Sequence, residues 1–486
     1  MKKKLGRFYK ALFATVFLWP LCGVHHAWAQ ERADDPMMLF SNDTTTLRAR
    51  AEIGLQFAAE ENLFWNLGDI TAPAENFDND RYWWEGYIKP GLDLESRLTP
   101  DIVLYGGLSA IASGTLQEDA FAAGNTGRVT LEEGFAGLKY KAQNNLLFDI
   151  SAGPQKYKIG NGMLVSNGAS NGFERGALKL GPREAFAMTG IGRVTYDNVR
   201  AEAFYLDANE LPDKDSGNQL AGMNLIWQPE SERHLGMAYG KSVQSDTPYP
   251  KAPPGGIGLP PILPGAREGL NFVHGYGRWT PFGSDLPDLW VAGDLAHEWN
   301  EDIDLKAWGG RAEIGYHFKD VGWQPKLSYH YQYFSGDDPG TKALERFDPL
   351  FYEGNPDAWS TGSKSSMVFI NTNVNAHQIT LGFNPTPKDI VTIYAAYIQA
   401  SELRSPLQFG QPTRLSFSTG APDLVTGVTS RHLSNDILVK HTHIVNDHTY
   451  LTMGYSASFP GKGTDELVGS EAPIWAGVFA NVVFNF

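Results

Sequence analysis

The side chains best suited to chemistry in this sequence are long and basic, and they recur at every second position. In TLRARAEIGLQF, residues 46–57, Arg48, Arg50 and Glu52 alternate with Leu47, Ala49, Ala51, Ile53, Leu55 and Phe57. An extended chain sends successive side chains to opposite faces. The charged residues therefore share one face and the apolar residues the other. YWWEGYIKPGLDLESRL, residues 82–98, repeats the pattern with Lys89 and Arg97 on the face of Glu85, Asp93 and Glu95. Lys156, Lys158, Arg200, Arg311 and Glu313 extend the set on later alternating runs. Fixed cations in series bind an anionic chain at many points and release it at each one. That is chemistry of passage, not of turnover. Interleaved acids can also simply neutralise such a row, as they do on any polar inner wall.

Other constellations are weaker. KHTHIVNDH, residues 440–448, puts His441 and His443 on one face of a strand, the spacing of a metal pair; it reads more simply as a polar strand end and turn. Asp337 and Asp338 of SGDDPG and Asp348 of ERFDPLFYEG are calcium candidates through their carboxylates, although EF-hand spacing is absent. No other cofactor is implied. No GxSxG, HExxH or glycine-rich phosphate loop occurs, so the sequence does not read as an enzyme. The one cysteine, Cys22, lies in the leader described next, which removes disulfide and thiolate chemistry from the rest of the chain.

The elements that must hold the basic row follow from pattern and composition. MKKKLGRFYK, then an apolar run, then Ala27 and Ala29 at cleavage spacing read as a secretory signal peptide over residues 1–29. Residues 30–45 are expected as a short periplasmic segment, too short for a plug, and residues 46–486 as one barrel. Alternating runs number 18, each near the length that crosses a bilayer as a tilted strand. Long linkers are expected near 58–81, 113–127, 160–182, 243–267, 336–365, 401–433 and 459–472, with short joints between them. WNEDID, residues 299–304, is short where a long one is due. Thirteen tryptophans, 20 tyrosines and 52 glycines suit aromatic girdles and bending strands. No helix is expected after residue 30. The formal charge of -15 argues against nucleic acid as a partner. The last strand, PIWAGVFANVVFNF, is apolar on alternate residues to its end. Phe484 and Phe486 are expected to close the wall by pairing this strand with residues 46–57, since lipid tolerates no open edge. The fold class is thus all-β: a transmembrane antiparallel β-barrel of about 18 strands with long extracellular loops, in the cell outer membrane.

One stretch carries a family likeness. In SYHYQYFSGDDPGTKALERFDPLFYEG, residues 328–354, a strand ends in SGDDPG and FDPLF follows after a charged gap. This resembles the signature of the outer-membrane alginate export family. TLRARAEIGLQF, YIKPGLDLESRL, LEEGFAGLKY and SAGPQKYKIGNGMLV resemble other pieces of the family in order. The family's pattern has an arginine where this chain has Pro154, with Lys156 and Lys158 on the same face. The resemblance implies an 18-stranded channel exporting an anionic exopolysaccharide, alginate or a similar uronic-acid polymer. It implies as partners outer-membrane lipid and lipopolysaccharide, the polysaccharide itself and a periplasmic secretion complex. A general or anion-selective porin is the nearest alternative. A barrel enzyme or receptor is the alternative of another class.

Overall fold

The computed structural model describes residues 36–71, 73, 76–354, 364–408 and 424–486; the leader expected over residues 1–29 lies outside them. Among the described residues, 18 strands make one wall. They are β1 (Thr45–Glu61), β2 (Arg81–Thr99), β3 (Ile102–Glu118), β4 (Gly124–Lys141), β5 (Leu146–Ala152), β6 (Met188–Tyr196), β7 (Val199–Asp207), β8 (Gln219–Glu230) and β9 (Arg233–Gln244). They continue with β10 (Asn271–Trp279), β11 (Leu289–Asn300), β12 (Leu305–His317), β13 (Lys326–Phe334), β14 (Val374–Thr386), β15 (Asp389–Ala400), β16 (His432–Asn446), β17 (Thr449–Pro460) and β18 (Trp475–Asn485). Each pairs antiparallel with the next, and β18 pairs with β1, so the sheet closes. Every strand answers to one of the 18 alternating runs.

Closure has a definite register. Glu52 stands opposite Asn485, Ile53 opposite Phe484 and Glu61 opposite Ala476. Phe486 adds the last rungs: its N–H donates to Ala51 O at 2.9 Å, and Ala51 N–H donates back at 3.1 Å. Its ring stacks on His448 with centroids 5.3 Å apart. A short strand, Met38–Ser41, pairs with β1, with Met38 opposite Arg48 and Ser41 opposite Thr46. Residues 38–41 thus join the sheet as a short additional strand along the seam.

The outer face carries the apolar set. Leu55, Trp84, Ile88, Leu92, Leu94 and Leu98 all stand exposed, as a wall solvated by lipid requires. Trp227 and Trp279 stack at the short-turn end, ring centroids 5.6 Å apart. No described helix is long and apolar enough to cross a membrane.

Several linkers differ from expectation. β5 stops at Ala152 instead of running on to residue 160. Gly153 has φ 119°, a conformation that favours glycine, and Pro154 has no N–H for a ladder. The chain leaves the wall there and folds inward. Residues 365–373, expected as strand, belong to another inward loop that ends only at Val374. Residues 113–127, expected as a long loop, are mostly strand, with 119–123 as the link. Residues 301–304 are a short turn, as WNEDID promised, capped by the Asn300 side chain. Two linkers hold helices the sequence did not announce, Gly68–Thr71 and Lys462–Val468.

The inward loops, residues 153–187 and the described residues of 335–373, add to an apolar core that strands of the wall share. Ile159, Met163, Leu164, Val165, Phe186, Phe347, Leu350 and Phe351 are buried. The two loops meet directly, Val165 bridging to Phe351. Loop 245–270 joins the second of them, Tyr249 and Arg267 both bonding Asp348.

Candidate functional site

The site is the inner wall together with the loops that narrow it. Alternation decides which residues of β1 reach it. Gly54, Gln56, Ala58 and Glu60 are buried inward while Leu55 and Glu61 stand exposed outward. Arg48, Arg50 and Glu52 fall on that inner face. On β2 the inner residues are odd-numbered, which places Lys89 and Arg97 there. Arg200 on β7 and Arg311 and Glu313 on β12 face inward by the same count.

Acids accompany nearly all of these cations. Arg50 bridges Asp93 at 3.1 Å and also engages Glu133. Lys89 lies 3.5 Å from Glu52 and donates to Pro182 O at 3.2 Å. Tyr87 donates to the same Glu52. Arg200 and Arg193 both reach Glu202, at 3.0 and 3.1 Å. Arg311 is 3.5 Å from Glu313, which also accepts from Trp290 at 2.8 Å. Lys156 and Lys158 lie on the inward loop, not on a strand of the wall as the alternating run implied. Lys156 pairs with Glu184 across that loop, and Lys158 lies 3.8 Å from Glu353 of the other loop.

A bulge contributes two acids at once. Ser109 of β3 opposes Glu133, while its neighbour Ala110 opposes Leu131, so Glu132 is the extra residue of β4. Both Glu132 and Glu133 are buried inward, where strict alternation would send one to lipid. Glu132 accepts the backbone N–H groups of Glu184 and Ala185 at 2.8 and 3.1 Å, anchoring the loop to the wall. Glu133 accepts from Ser109 at 2.9 Å.

The wall is asymmetric. The inner faces of β14, β15, β17 and β18 carry no charged residue; Gln378, Thr380, Tyr394, Thr452, Ser456 and Asn481 stand there. Between them β16 holds Asp436 and Lys440 inward. Charges are therefore sparse on this arc of the lumen, where amides and hydroxyls predominate, and crowd the opposite one.

The calcium candidates have other partners. Asp337 accepts the N–H groups of Glu345 and Ala252. Asp338 accepts Gly340 N–H at 2.7 Å. Asp348 forms a two-pronged buried pair with Arg267 at 2.7 and 2.9 Å and also accepts from Tyr249. Burial opposes its charge, but Arg267 outweighs burial and holds the carboxyl below its usual range. His441 and His443 do share a face; it is the outer one, and both rings bond one oxygen of Asp389, at 2.8 and 2.9 Å. Among the described residues no group of three or more histidines and acids is disposed to hold a metal.

Some members of the site were legible and some were not. Glu132 and Glu133 had a signal: Val129 and Leu131 give way to Ala136, Leu138 and Tyr140, a change of phase that a bulge explains. Glu184, Glu353 and Lys179 had none, because a loop's path through the lumen is set by distant strands.

Comparison with known proteins bears on this arrangement. Residues 272–472 match the model of the family described as Alginate export. The matched segment includes SGDDPG and FDPLF. No curated protein sequence matches the chain. Among solved structures, in-vitro folded OmpT, an outer membrane protein of Vibrio cholerae, aligns over 92% of this chain and 99% of its own at 10% identity and TM-score 0.40. Salmonella typhi OmpF in complex with daunomycin aligns over 92% and 99% at 10% identity and TM-score 0.39. Likeness at that level adds nothing to the argument. The closed 18-stranded wall, its apolar outer face and the family match together make this an outer-membrane β-barrel.

Proposed function

We propose that this barrel exports an anionic polysaccharide, a uronic-acid polymer such as alginate, by passive passage through its charge-lined lumen. The observation that carries the reading is the family match over residues 272–472 on a closed barrel of 18 strands. The inner wall supplies a route. Arg50, Lys89, Lys156 and Arg200 are held in place by neighbouring acids rather than left as a bare basic surface. A polymer carboxylate exchanges with the resident acid at one cation and then moves on to the next. A lumen of unbalanced cations would trap the chain; a paired one lets it leave. The charge-poor arc, with glutamine, threonine and serine on its inner face, offers hydrogen bonds to sugar hydroxyls along its length. The polymer enters at the short-turn end, in the periplasm, where a secretion complex would deliver it.

Liposomes carrying the full chain and loaded with uronic-acid oligomers test this. Efflux of the oligomers ahead of neutral glucans of equal length is expected. Equal efflux of both, with free passage of small sugars, would leave a general porin.

A further inference from the structure

The two inward loops join different strand pairs, β5 to β6 and β13 to β14, yet each sends a lysine to the same carboxylate. Glu60 stands near the long-loop end of β1, its side chain 1% exposed. One oxygen engages Lys179 of loop 153–187. The other accepts from Lys364 of loop 335–373 at 2.6 Å and from the Trp475 indole of β18 at 3.0 Å. The backbone leaves space for it: a Cβ at Gly477 would overlap the Glu60 carboxylate. The lysines are themselves well placed. The N–H groups of Lys364 and Ser365 donate to Asp436 of β16 at 3.0 and 2.8 Å. The N–H groups of Lys179 and Leu180 both donate to Glu85 of β2 at 2.9 Å. Their ammonium groups lie over Trp83 and Trp475, at 5.1 and 5.4 Å.

We propose that Glu60 is a positioning residue that ties both inward loops to the wall at once and so sets the width of the bore. The proposal rests on the reading of this chain as a channel. One shared counter-ion couples the loops in a way two separate pairs would not. Without Glu60, Lys179 and Lys364 lose the acceptor they share and the tie from both loops to β1 is broken, since a buried lysine stripped of its partner is strongly unfavourable in its charged form. Without one lysine, Glu60 still holds the other loop.

Single-channel recording of the full chain in planar bilayers reads this directly, with heat-modifiable gel mobility to confirm a closed barrel. Glu60→Gln should raise mean conductance about twofold or more, since the buried pairing that holds the loops inward is gone. Lys179→Gln or Lys364→Gln alone should raise it less. Adding Lys364→Gln to Glu60→Gln should change conductance little further, because the tie is already broken. If Glu60→Gln does not fold, Gly477→Ala displaces the carboxylate without changing a charge and should raise conductance in the same direction. Wild-type conductance in a folded Glu60→Gln or Gly477→Ala barrel would overturn the proposal. A wild-type protein that forms no channel would instead remove the reading on which it rests.

Discussion

Arg50 shows how one residue joins the fold to the proposed passage. Its place on the inner wall follows from alternation alone, and that much is written in TLRARAEIGLQF. Its partners are not: Asp93 comes from the neighbouring strand, and Glu133 reaches it only because β4 bulges. Two unit charges a few ångströms apart interact by about 4 kcal/mol at an effective dielectric of 20. Water and salt in the bore reduce that. Replacing Arg48 and Arg50 together by glutamine leaves Asp93 and Glu133 without the Arg50 cation. The anion-to-cation permeability ratio at low salt should then fall by about twofold or more, the screened remainder of that interaction. Reversal potentials across a salt gradient measure it. An unchanged ratio in a folded double variant would mean that ions pass elsewhere, along the charge-poor arc of β14 to β18.

At the scale of elements, strands were legible and inward loops were not. A strand in a barrel wall is read from a local period of two, since one face meets lipid and the other the lumen. Nothing local says that residues 153–187 will leave the wall, although Gly153 and Pro154 mark the place. Runs such as SAGPQKYKIG and SSMVFINTNV alternate well enough to pass for strands, yet they form loops because their apolar residues pack on each other inside the barrel. The loop lysine Lys364 makes this burial measurable. Burial pushes its ammonium down to about 8 from the model-compound value of 10.5; Glu60 and Asp436 pull the other way, and Lys179 adds to the lowering. With the loop swung into water, its pKa returns toward 10.5. The open form therefore binds more protons between these values, and raising pH through that window favours the closed form. Below pH 8 both forms carry the proton and this group contributes no pH dependence. Conductance should accordingly fall as pH rises from about 8 to 10, and Lys364→Gln should flatten that limb. A limb of the same slope in the variant would assign it to other groups.

The whole molecule is a wall closed on itself with a packed interior at its long-loop end. Closure was legible because the first and last alternating runs are both apolar on one face up to their ends, and an open edge has no place in lipid. What the sequence could not convey is that Phe486 stops short of the lower part of β1 and that Met38–Ser41 completes the seam. Nor could it convey the asymmetry of the lumen, since that depends on which inner faces come to lie side by side. Both features bear on the proposed function, in which charge-rich and charge-poor arcs guide a sugar acid polymer through a bore whose width is set by loops tethered to the wall. Single-channel recordings with defined uronic-acid oligomers, added on the short-turn side, test that account most directly. Blockades are expected whose dwell time shortens as the voltage driving the anion through the pore increases, the behaviour of a chain that passes rather than plugs. Neutral oligomers of equal length should block less often. An absence of blockade, or dwell times that lengthen with driving voltage, would contradict it.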